Sequence, residues 1–60
     1  MKGAATEQVG VLTIDRVAAG GDGVGRLGGL AVFVPRTAPG DVVQVAYRVQ
    51  GRLGRGRVLQ

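Results

Sequence analysis

The 60-residue chain contains no cysteine, no histidine and no tryptophan, and it has one phenylalanine and one tyrosine. Without Cys and His it cannot form a disulfide, a thiolate nucleophile, a Cys/His zinc site or an imidazole general base. No catalysis is expected of this chain, and no cofactor or metal site. Long apolar runs are also missing: none approaches the roughly 18 residues that a membrane-spanning helix needs, and the N-terminus lacks the apolar stretch of a secretory signal. The expectation is a soluble cytoplasmic monomer that engages no membrane. Acids are few. Asp15, Asp22 and Asp41 each adjoin a predicted turn, where Asp bonds local backbone amides, and no paired-carboxylate site is supported.

Apolar residues make up 45% of the chain, enough to argue against disorder. Glycine is abundant, at 12 residues against an average usage of about 7%, and it interrupts every candidate helix. The longest stretch free of Gly and Pro, Asp41 to Gln50, is shorter than an average helix of about 11 residues. Within it Val43, Val45, Tyr47 and Val49 recur with period two, the spacing of a strand. An all-β fold is predicted. A chain of this size buries only about 60% of its unfolded surface, so it forms one domain with a thin core. That domain spans residues 7–60, after a lead, Met1 to Thr6, expected to be frayed.

Five strands are predicted. From Gln8 to Ala18, Leu12 and Ile14 share one face and Val9, Val11, Thr13 and Asp15 the other; Val17 turns inward only if a bulge lies near Asp15 and Arg16. Ala19 to Gly23 is a glycine-rich link. Val24 to Leu27 and Leu30 to Val34 flank Gly28-Gly29, the signature of a two-residue hairpin with positive φ at both central positions. Pro35 closes the third strand, and Pro39-Gly40 fits the centre of a type II turn. Val42 to Val49 is the fourth strand, Gly51 to Gly54 a loop, and Arg55 to Leu59 a short fifth strand. Five antiparallel strands in meander order suggest a small barrel, because closure removes exposed edges.

Gly23-Val24-Gly25-Arg26-Leu27-Gly28 matches the glycine pattern of dinucleotide-binding turns, but that pattern works only where a helix N-terminus follows. Here another strand follows, and the glycines are expected to serve tight turns and a bulge. Charge is more informative. Through Asp41 the bases Lys2, Arg16, Arg26 and Arg36 balance Glu7, Asp15, Asp22 and Asp41, so the whole net charge of +4 comes from Arg48, Arg52, Arg55 and Arg57. Arginine offers planar bidentate donors to phosphate and stacks on bases, which suits nucleic acid; the plain alternative is a solvated face. Lys2 and Arg36 are expected to matter less. Tyr47 fits the inward row with Val43 and Val45. Phe33 alternates with Val32 and Val34, so it either packs in the core or stands outside as a stacking platform worth about 1–3 kcal/mol per base.

The run Ile14-Asp15-Arg16-Val17-Ala18-Ala19-Gly20-Gly21-Asp22-Gly23-Val24-Gly25-Arg26, then Val32-Phe33-Val34-Pro35, then Pro39-Gly40-Asp41-Val42-Val43-Gln44-Val45, closely resembles the TRAM domain over about residues 8 to 59. It is most similar to the TRAM domain at the N-terminus of bacterial RNA uracil-5-methyltransferases, which act on ribosomal or transfer RNA. The Met1 just ahead of the domain favours that type over the C-terminal TRAM of tRNA methylthiotransferases. The resemblance implies a five-stranded OB-like β-barrel that binds RNA and delivers it to a separate S-adenosylmethionine-dependent catalytic domain. The family's basic loop before the last strand corresponds to Arg48 through Arg55, with Leu53 where an aromatic is frequent. The expected RNA-binding residues are Arg26, Phe33, Arg48, Arg52, Arg55 and Arg57. The alternative is a structural barrel that packs on a catalytic domain without binding RNA.

Overall fold

A computed structural model describes residues 6–59. The expected frayed lead, and Lys2 with it, lies outside the described residues except for Thr6. Five strands follow one another: β1 (Gln8–Val17), β2 (Gly23–Leu27), β3 (Leu30–Val34), β4 (Val42–Gln50) and β5 (Leu53–Val58). They close into a barrel in the order β1-β2-β3-β5-β4, with β4 returning to β1. The all-β expectation holds, but the meander does not. β5 inserts between β3 and β4 and runs parallel to β3, with Ala31, Val32 and Phe33 opposite Leu53, Gly54 and Arg55. The expected Gly51–Gly54 loop shrinks to a two-residue turn at Gly51 and Arg52, and β5 starts two residues early, because Leu53 and Gly54 pair with both β3 and β4.

The turns form where glycine and proline dictate. Gly28 and Gly29 sit at φ 55° and 88° and join β2 to β3, as a primed hairpin turn requires. Gly40 has φ 95°, and the Asp41 amide donates to the Ala38 carbonyl at 3.0 Å, closing a turn over Pro39-Gly40. This loop is laced to β1 by the Ile14 amide on Asp41 O and the Gly40 amide on Ile14 O, both at 2.8 Å. The register of β1 against β2 shifts between Ile14 and Arg16, leaving Asp15 as the extra residue of a bulge. The bulge returns Val17 to the inward phase opposite Gly23, yet Val17 stays 51% exposed, because β1 ends there at the rim.

Leu12, Ile14, Val32, Val34 and Val45 form the core, with Leu27, Leu30, Val43 and Tyr47 packed against it. A five-stranded barrel is narrower than the eight-stranded kind whose interior side chains just fill, and several inward positions accordingly lack a side chain. Gly25 lies against Leu12, Gly54 against Leu30 and Val32, and Gly10 against Leu27 and Tyr47. Gly23 and Gly25 are therefore strand residues that permit close approach; the reading of them as turn or bulge glycines is corrected. Gly23 lies under Thr37, whose buried hydroxyl donates to the Val34 carbonyl at 2.9 Å and covers that end of the barrel.

Candidate nucleic-acid interface

Burial of Val32 and Val34, both 0% exposed, turns Phe33 to the outer surface of β3, since neighbouring strand residues point to opposite faces. Phe33 is therefore half-buried and lies outside the core. Pairing then carries one row around the barrel. Arg16 faces Val24, Val24 faces Phe33, Phe33 faces Arg55, and Arg55 faces Arg48. The Arg55 guanidinium carbon stands 5.9 Å from the centroid of the Phe33 ring, within cation–π range.

Arg48 and Arg55 are thus opposed across β4 and β5. Both are exposed, and neither forms an ion pair among the described residues. Like charges directly opposite on a sheet destabilise it, and an anion laid between them would remove that repulsion. Arg26 pairs with Ala31 on the next outer row, toward the Gly28-Gly29 hairpin, and Ala31 in turn faces Leu53. Arg52 occupies the β4–β5 turn at that same end of β5. The structure therefore gathers Phe33, Arg48 and Arg55 on one row, with Arg26 and Arg52 beside the row below.

Arg57 is placed differently. It follows Arg55 on the outer face of β5, opposite Ala46, and its Nη2 donates to Glu7 Oε1 at 3.3 Å. Glu7 is distant in sequence and gave no sign of this partnership. Arg36, expected to matter less, shares an open groove of about 500 Å³ with Pro35, Arg57 and Val58. Nothing local announces this, because the groove forms only when β5 docks beside β3. Asp41, which a sequence reading sets beside a turn, accepts the Ala38 amide at 2.9 Å. That bond spends the carboxylate on the loop.

A closed barrel with this strand order, carrying an aromatic and unpaired arginines on its outer face, is of the small oligonucleotide-binding type. The family model of the TRAM domain matches residues 8–59, and the chain belongs to the TRAM domain family, whose members generally bind nucleic acid. A search of curated proteins finds no match.

Proposed function

We propose that this chain binds RNA as a single strand across the outer face of β3, β5 and β4, with little sequence preference. The observation that carries this reading is the Arg55 guanidinium over Phe33 with Arg48 opposed to it. An aromatic ring accepts any base by stacking, and unpaired guanidinium groups take phosphate oxygens bidentately. Binding of this kind follows the backbone and reads little of the base edges. The test is an anisotropy titration of the full chain with labelled single-stranded octamers of different sequence at low salt. Comparable binding of all sequences, weakened by Arg55→Ala, supports the reading; parental affinity in an Arg48→Ala, Arg55→Ala double variant rejects it.

The finer reading is that the barrel presents ribosomal or transfer RNA in the cytoplasm to the catalytic domain of an S-adenosylmethionine-dependent uracil-5-methyltransferase, or is a short stand-alone relative of such modules. The glycine loop from Gly20 to Arg26 and the Phe33-Val34-Pro35 strand end support it by resemblance. In this arrangement methyl transfer belongs to the catalytic domain, and the barrel contributes substrate affinity. Addition of the chain in trans to such a catalytic domain tests it. A fall in the KM for RNA with kcat unchanged is the expected result.

A further inference from the structure

We propose that Arg36 and Arg57 form a second phosphate-binding rung on the RNA path, one step beyond the Phe33–Arg55 rung; this inference rests on the RNA-binding reading above. Its first support is backbone conformation. Among the described residues seven have positive φ, and six of them are glycine; the seventh is Arg36, at φ 64°. A Cβ disfavours the left-handed region, and residues held there against that preference cluster where the side chain has a task. At the other six such positions among the described residues the fold places glycine. At the Pro35-Arg36 turn it keeps a guanidinium, and Arg36 lines the groove with Arg57.

The groove also fits the chemistry of a nucleotide. Arg36 and Arg57 supply donors for a phosphate, and Pro35 and Val58 supply apolar contact for a ribose or base. Arg57 already holds one acidic oxygen, Glu7 Oε1, although its own side chain is 62% exposed. Exposed ion pairs of this kind are weak, so a phosphate can replace the carboxylate at little cost. Placement supplies the third support. β3 and β5 are parallel with Phe33 opposite Arg55, and two residues further along each chain stand Pro35 and Arg57. At about 3.3 Å per residue the second rung lies roughly 6.6 Å beyond the first, comparable to the separation of successive phosphates in an extended strand. Arg57 and Arg36 thus extend the path toward the β3–β4 loop.

The decisive variant is Arg36→Gly, which removes the guanidinium while giving the left-handed position its favoured residue. Titrated with fluorescein-labelled octauridylate at low salt, the full-length variant is expected to keep or raise the parental thermal midpoint. Its affinity should fall about two- to fivefold, as for loss of one exposed ion pair, and its salt slope should become shallower by about 0.7. Glu7→Gln should tighten binding by a similar factor, because the competing carboxylate is gone. If Arg36→Gly does not fold, Arg36→Asn, which tolerates the same backbone region, replaces it. Parental affinity and slope in a folded Arg36 variant, with Arg55→Ala still weakening binding, would overturn the second rung and leave the RNA-binding reading standing. If the parent binds no octauridylate, the RNA reading fails, and inorganic pyrophosphate followed by amide NMR decides the groove alone. Shifts at Arg36 and Arg57 would retain a phosphate site, and their absence would remove it.

Discussion

The guanidinium of Arg55 lies over the ring of Phe33 although 22 positions separate them in sequence; the 5.9 Å contact exists because β5 pairs in parallel with β3. At an exposed site such a contact contributes about 0.5–1 kcal/mol, enough to bias the orientation of Arg55 without fixing it. The contact keeps the guanidinium beside the ring on the outer face of the barrel. Arg48, directly opposite Arg55 on β4, raises the local positive potential.

Phe33→Leu should keep the apolar bulk on β3 and lose the aromatic face. Base stacking is worth about 1–3 kcal/mol, so affinity for a single-stranded octamer should fall roughly five- to 150-fold with little change in thermal midpoint. Anisotropy titration beside a melting curve checks both. Unchanged affinity would mean that Phe33 is only a cover for the outer sheet.

Binding should weaken with salt. If three arginines neutralise phosphates of a single strand, log K falls against log salt with a slope near −2, from about −0.7 per contact. Arg52→Ala and Arg55→Ala should each remove part of that slope and weaken all sequences about equally. A slope near zero in the parent chain would show that phosphate contacts do not drive association.

Gly25→Ala should destabilise the barrel strongly. Its Cβ would come within 2.8 Å of Leu12 Cγ and Cδ1 and closer still to the Thr13 carbonyl oxygen, and relief requires movement of both core and backbone. Overpacking of this sort costs about 1–3 kcal/mol, a large share of the stability of so small a domain. Gly20→Ala meets no atom within 4 Å and pays only for its φ of 99°, about 1–2 kcal/mol. Urea melts should rank Gly25→Ala as the more damaging. The reverse order would contradict the inward placement of Gly25.

Thr37→Val, nearly isosteric, removes the buried hydroxyl that bonds Val34 O. The expected loss is about 1 kcal/mol, read as a lower urea midpoint with an unchanged slope. A variant as stable as the parent would assign the cover of the barrel end to the methyl group of Thr37 alone.

Several features of this molecule are written locally in its sequence. Period-two rows put Leu12 and Ile14, and Val43, Val45 and Tyr47, on the core side, and the structure keeps them there. Gly28-Gly29 and Pro39-Gly40 form their turns because positive φ at Gly28, Gly29 and Gly40 is a property of glycine itself. The bulge at Asp15 follows from the break in alternation along β1. Each of these depends on residues within a few positions of one another. The parallel pairing of β3 with β5 does not: no local propensity distinguishes it from a meander, and it arises when five strands close around one small core. Closure decided that Phe33 faces outward beside Arg55 and that Arg36 lines one groove with Arg57. It also decided that Gly10, Gly25 and Gly54 face inward. Composition put the arginines in the chain; the barrel's narrow interior and its non-local strand order arranged them into a face.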